Sequence, residues 1–152
     1  KPAWDGDFGC DNLVLTDGVY TGICGAGDNL KVEAGYYYIT YNMISNEVKM
    51  QPINNLGIIG GFAENSWGSD VAKLEYNADA DIWTGTCTIA AGVEWKIRAN
   101  DAWAWNRGGS LTAIGTPFEG VADGSNISVP EDGTYTIRLN LAVNPNMITI
   151  SK

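Results

Sequence analysis

The stretch NISVPEDGTYTIRLNLAVNPNMITIS, residues 126–151, decides the fold. Tyr135, Ile137, Leu139 and Leu141 recur two apart in TYTIRLNLA, with Thr136, Arg138 and Asn140 between them. Side chains two apart share one face of a β-strand, so the first set turns inward and the second outward. PEDG before this strand and NPN after it are turn sequences, and NISV and MITIS read as short strands on either side. Working outward, the unit begins at about Ile53, LGIIGGF (residues 56–62) is a buried-type strand ending in glycines, and AENSWGSD is a polar loop carrying Trp67. VAKLEYN alternates as a strand, ADAD is a turn, and IWTGTCTIA is a strand with Trp83, Cys87 and Ile89 on its inner face. VEWKIRA follows, and SLTAI and TPFEGVA read as short strands or irregular loop. No segment has a helical period. Short alternating strands with turn signals at this spacing predict an all-β chain, an antiparallel β-sandwich of immunoglobulin-like type.

The same pattern occurs twice. GDNLKVEAGYYYITYNM matches GSNISVPEDGTYTIRLNL, so Asn29 falls on Asn126, Val32 on Val129, Gly35 on Gly133, Tyr37 on Tyr135, Ile39 on Ile137 and Asn42 on Asn140. KPAWDGDFGC likewise matches DAWAWNRGG, placing Trp4 on Trp103 and Gly9 on Gly108. The period is about a hundred residues, which is a whole domain and not a solenoid unit. Residues 1–52 therefore read as the C-terminal half of one sandwich repeat, and residues 53–152 as a complete one. In the half-unit, Tyr37, Ile39, Tyr41 and Met43 would face a core whose first strands are missing, exposing apolar surface and a strand edge. Either this half docks on its neighbour or another chain completes it.

Composition narrows the partners. The chain has 152 residues, is 45% hydrophobic and contains 19 Gly but 5 Pro, which suits a folded, turn-rich domain. The net charge of −9, with no histidine, repels nucleic acid and anionic membrane surfaces and leaves neutral ligands as the natural candidates. No apolar run approaches transmembrane length, and the first residue, Lys1, suggests a mature or excised piece of a longer chain. Of three cysteines, Cys87 reads as a buried thiol, while Cys10 and Cys24 flank one hairpin and are candidates to pair.

Chemistry concentrates in EWKIRANDAWAWNRGG, residues 94–109. On its strand, Trp95, Ile97 and Ala99 share one face, and Lys96 and Arg98 share the other. The strand runs into an Asn/Asp/Gly loop holding Trp103 and Trp105. Flat apolar rings beside hydrogen-bonding groups suit a pyranose, whose C–H face lies on an aromatic plane while its hydroxyls find donors and acceptors. Trp83 and Trp95 alternate with core residues and read as structural. Trp103 recurs as Trp4, so it serves either architecture or a shared site. Trp105 has Gly6 in its place in the other unit, which makes it the favoured ligand platform if exposed. Trp67 sits among Asn65, Ser66, Gly68 and Ser69, with no apolar neighbours to bury it. The candidate carbohydrate-binding set is Trp67, Trp103, Trp105, Lys96, Arg98, Asp101 and Asn106.

IIGGF followed by SWGSD, then YNADADIWTGT, WKIRAND, WNRGG and the GSNISVPEDGTYTIRLNL ending together resemble the repeated domains of SusE/SusF-type starch-binding lipoproteins of Gram-negative gut bacteria. The resemblance covers residues 53–152 and, through the internal repeat, most of residues 1–52. It implies tandem β-sandwich, starch-binding-like modules that bind α-glucans without cleaving them. They would be held on the outer membrane by a lipid anchor upstream, within a glycan-uptake complex. Arg107 departs from the pattern, since an aromatic before Gly-Gly is usual and the half-unit has Phe8 there.

Three rival readings follow from the residues. Glycosidases use two carboxylates, but the acidic residues here fall mostly in turns, and there is neither histidine for a triad nor a Gly-x-Ser-x-Gly elbow. No catalytic residue and no cofactor is expected. Asn77, Asp79 and Asp81 offer oxygen ligands, yet the spacing of a calcium loop is incomplete, so no metal ligand is assigned. The serious alternative is a spacer or adhesive sandwich with no glycan site of its own. Burial of Trp67 and Trp105 would favour it, and exposure of both in one groove would favour glycan binding.

Overall fold

A computed structural model describes residues 9–10, 13–25 and 29–152. Trp4, Gly6 and Phe8, with the repeat matches drawn on them, lie outside these residues. The described chain is all-β, with thirteen strands paired antiparallel and no helix. It divides into two compact units, residues 1–54 and 55–152.

The first unit is a four-stranded sheet, β1 (Val14–Thr16), β2 (Val19–Ile23), β3 (Tyr37–Asn42) and β4 (Glu47–Pro52), in the order β1-β2-β4-β3. Asp17 takes a positive φ, which Asp tolerates better than most residues, and Gly18 follows it, giving the tight turn between β1 and β2. The core is small: Cys10, Cys24, Val48 and Met50, with Leu13, Tyr20, Val32 and Tyr37 against it. Cys10 and Cys24 form a disulfide across the β1–β2 hairpin.

The second unit orders its nine strands β10-β13-β12-β7-β6-β5-β8-β9-β11. These are β5 (Leu56–Gly60), β6 (Ala72–Asn77), β7 (Ile82–Ile89), β8 (Trp95–Ala99), β9 (Asn106–Gly108), β10 (Phe118–Glu119), β11 (Val121–Ala122), β12 (Gly133–Asn140) and β13 (Met147–Ser151). Strand β6 turns the order into a sandwich. Its first half pairs with β5, Leu74 opposite Leu56, and its second half with β7, Tyr76 opposite Trp83. The ladder thus passes from one layer to the other within six residues. Leu56, Ile58, Trp95 and Ile97 face inward from one layer, and Tyr135, Ile137, Leu139, Ile148 and Ile150 from the other, all fully buried. Burying a side chain of this size is worth about 1.5–3 kcal/mol, so these rows dominate the stability of the unit.

The strand pattern expected for residues 126–151 is present, with two differences. Asn140 ends β12, and Leu141, expected to face inward, is half-buried beyond it. Its predecessor's side chain accepts from the Ala142 N–H and starts the turn, which ends the strand there. NISV forms only a bridge at Ile127 to Trp95. Cys87 is free and buried, and burial pushes its thiol pKa up.

The internal repeat has structural counterparts. The Tyr37 and Tyr135 hydroxyls each donate to the carbonyl four residues back, Glu33 and Glu131, at 2.6 Å. Asn42 caps the β3–β4 turn by accepting from Ile44 N–H, as Asn140 does for Ala142. Ile39 pairs with Met50 as Ile137 pairs with Ile150, and β2-β4-β3 repeats the order β10-β13-β12.

Candidate functional site

The outer face of β5 and β8 carries the candidate site, and a glycine opens it. Gly57 lies directly across from Arg98. A β-carbon at Gly57 would overlap the Asp70 carboxylate, which lies over the strand at that point. The missing side chain lets Asp70 reach Arg98, whose Nε donates to Asp70 Oδ1 at 2.6 Å. Both side chains are buried, 7% and 2% exposed. Lys73 donates to the other Asp70 oxygen at 2.7 Å and to Asp101 Oδ1 at 2.5 Å, and Asn55 bonds both Lys73 and Asp101. Two cations and two carboxylates thus alternate in one network. Burial draws the Lys73 ammonium pKa down, but its bonds to Asp101 and Asp70 outweigh that and the net direction is up. The bond from Lys73 holds the Asp101 carboxyl below its ordinary value.

Two tryptophans stand beside this network. The Arg98 guanidinium carbon is 5.4 Å from the Trp103 ring centroid, a cation–π distance. Trp103 is 45% exposed. Trp67 is half-buried, its ring centroid 6.0 Å from that of Trp103 and its plane tilted by 36°. Trp67 also has φ +60°, a left-handed conformation that bulky residues rarely adopt and that costs on the order of 1–3 kcal/mol. Its N–H donates to Gly60 O, which ties the strained turn to the end of β5. Asn100 and Asp101 are both left-handed, forming the turn that carries Asp101 and Trp103 back over β8. Asn and Asp accept that conformation most readily of the non-glycine residues.

The predicted site residues separate into two groups. Trp67, Trp103, Arg98 and Asp101 come together, and Lys96 shares the outer face of β8 in a half-buried position across from Ile59. Arg98, however, is a buried ion-pair partner and not a solvated charge open to a ligand. Trp105, the favoured platform, is 7% exposed and therefore not a platform. Its ring lies 4.0 Å from the buried Arg107 guanidinium, which also donates to Asn146 Oδ1 and Asn106 O. This explains why Trp105 and Arg107 occur together, whereas the other repeat has Gly6 and Phe8: they form one packed pair. Asn106 is buried too, donating to Asp123 Oδ1 at 2.6 Å and to Trp103 O at 3.1 Å, so it positions the tryptophan loop and is not presented to solvent.

Asp70, Lys73 and Asn55 were not singled out from the sequence. The signal was Gly57 inside an otherwise bulky buried strand, which marks a close approach by another group. Of the calcium candidates, Asn77 accepts from Ala80 N–H and Asp81 from the Tyr76 hydroxyl, as turn residues do.

The chain matches no known protein-family model and no curated protein.

Proposed function

We propose that the second unit is a non-catalytic carbohydrate-binding module that takes a neutral glycan, an α-glucan by preference, on Trp67 and Trp103. The observation that carries this reading is the tilted, solvent-accessible pair of indoles beside a fixed array of polar groups. Two rings inclined by 36° follow a curved chain of pyranoses better than a flat one. Asp101, Lys73 and Asn55 stand nearby with exposed oxygen and nitrogen atoms for hydroxyls, already oriented by one another. The backbone strain at Trp67 fits a residue held for a ligand. The net charge of −9 favours a neutral ligand over a polyanion. A glycosidase general acid needs a raised pKa, and Asp101 is shifted the opposite way. Stacking with a few exposed hydrogen bonds gives weak affinity, about −4 to −8 kcal/mol, which repetition of modules would raise through effective concentration. With the sequence resemblance, the reading extends to a lipid-anchored protein on the Gram-negative outer membrane, working in a glycan-uptake complex.

A spacer or adhesive module is the second reading. Burial of Trp105 and internal pairing of Arg98 favour it, because both remove expected ligand contacts. Affinity electrophoresis in gels with and without soluble starch separates the two. Retardation of the chain that is lost in Trp67→Ala/Trp103→Ala supports the glycan site. Equal mobility in both gels sinks it, and retardation that survives the double substitution moves the site elsewhere.

A further inference from the structure

Strand β7 is paired unequally on its two sides. Its ladder with β12 runs from Trp83 to Ile89, whereas its ladder with β6 covers Ile82, Trp83 and Thr84 alone. Gly85 marks the place where β6 departs. A β-carbon there would overlap the Lys73 carbonyl, as β6 crosses to pair with β5. In an antiparallel ladder, alternate residues turn their N–H and C=O away from a given neighbour. Residues 86–89 therefore direct backbone groups to the side that β6 has left, and among the described residues no strand pairs with them there. Beside this edge lies a groove of about 490 Å³, with Phe62, Val71, Ala72, Cys87 and Val93 in its lining. Turns hold both walls: Asn65 and Ser66 N–H donate to Phe62 O, and Val93 N–H donates to Ala90 O. Glu64 also lines the groove and is exposed, and no cation lines it.

We propose that this groove takes an extended polypeptide segment with alternate apolar side chains and a net positive charge, added as a short strand along residues 86–89 of β7. An open strand edge is matched by another backbone, which carries donors and acceptors at the same spacing, while alternate side chains fill the pockets beside it. The apolar lining fits those side chains, and Glu64 together with the net charge of −9 favours a cationic segment. A small apolar molecule would fill the groove but leave the edge unpaired. A second copy of this chain would bring another −9 to the contact. The inference is independent of the glycan reading, since no tryptophan lines the groove.

The test titrates the chain with acetylated, amidated hexapeptides that alternate Lys with Val, Ile or Phe, and follows amide hydrogen exchange. At least one of the three should bind saturably, one per chain, with a Kd of about 1 mM or tighter. At ten times that concentration, exchange within residues 86–89 should slow by about tenfold. Complete N-methylation of the peptide backbone should abolish the effect, and Glu in place of Lys should weaken it about tenfold. Val71→Asp should abolish it and Glu64→Gln should weaken it. Val71 is 37% exposed, so Val71→Asp leaves the unit folded, which an unchanged urea midpoint checks. Four results overturn the proposal: no slowing in residues 86–89 with any of the three peptides, equal slowing by the N-methylated peptide, slowing that survives Val71→Asp, or slowing in the chain alone that rises with its own concentration.

Discussion

Replacing Asp70 with alanine tests whether the network under the tryptophans is structural. The Arg98 side chain is 7% exposed and Asp70 is 2% exposed, so Asp70→Ala leaves a buried guanidinium without its closest charge partner. Breaking a buried pair from one side costs about 3–5 kcal/mol. Lys73 adds little to this, because it is 45% exposed, keeps Asp101 and belongs to the weak class of surface pairs, at about 0–1 kcal/mol. For a unit of this size, each kcal/mol moves the melting midpoint by about 4–5 °C, so a fall of about 12–25 °C is expected. Arg98→Met alone should cost less, about 1–3 kcal/mol, since Asp70 retains Lys73. The double variant removes both charges, and its cost should be smaller than the sum of the singles by about 2 kcal/mol. Urea unfolding followed by tryptophan fluorescence is the assay. Trp67, Trp83, Trp95, Trp103 and Trp105 all lie in the second unit, so the signal reports chiefly that unit. A loss under 1 kcal/mol for Asp70→Ala, or strict additivity in the double variant, would refute the reasoning.

Gly57→Ala should destabilise the second unit by about 1–3 kcal/mol in the same assay, because the added methyl group occupies the place of the Asp70 carboxylate. The loss should shrink in an Asp70→Ala background. Removing the disulfide with Cys10→Ser/Cys24→Ser should cost the first unit about 3 kcal/mol, since the bridge closes a short loop over a core that the two cysteines help to form. Faster amide exchange in β2 and β4 would register it, and unchanged exchange would contradict it. Acid titration tests the network by sign. Asp101 has a folded pKa below its ordinary value of 3.8, so its contribution is complete above that value and is lost as pH falls through the lower folded pKa. Asp101→Asn should therefore flatten the fall in stability below about pH 4, and an identical acid limb in the variant would remove Asp101 from the account.

Much of the fold is legible without coordinates because a half-buried strand writes its two faces into the sequence at period two. Tyr135, Ile137 and Leu139, and Trp83, Cys87 and Ile89, all point inward as their spacing requires. The repeat is legible for the same reason, and Tyr37 with Tyr135 and Asn42 with Asn140 keep the same local bonds because each bond reaches only two to four residues along the chain. Leu141 and NISV mark the limit: where a strand stops depends on a turn side chain and on an available partner, not on alternation alone.

The site is a matter of tertiary structure. Trp103 and Trp105 have the same parity and the same polar neighbours, yet one is 45% exposed and the other 7%. What separates them is Arg107 against Trp105 and Arg98 beside Trp103, cations on different strands. Asp70 meets Arg98 only because β5 places Gly57 between them, 28 residues apart in the chain. Sequence alone determined which residues alternate, where the turns fall and that one pattern occurs twice, since these follow from local geometry. Which tryptophan reaches solvent and which charges are paired are decided only when distant strands meet, because burial is a property of the neighbours that folding brings.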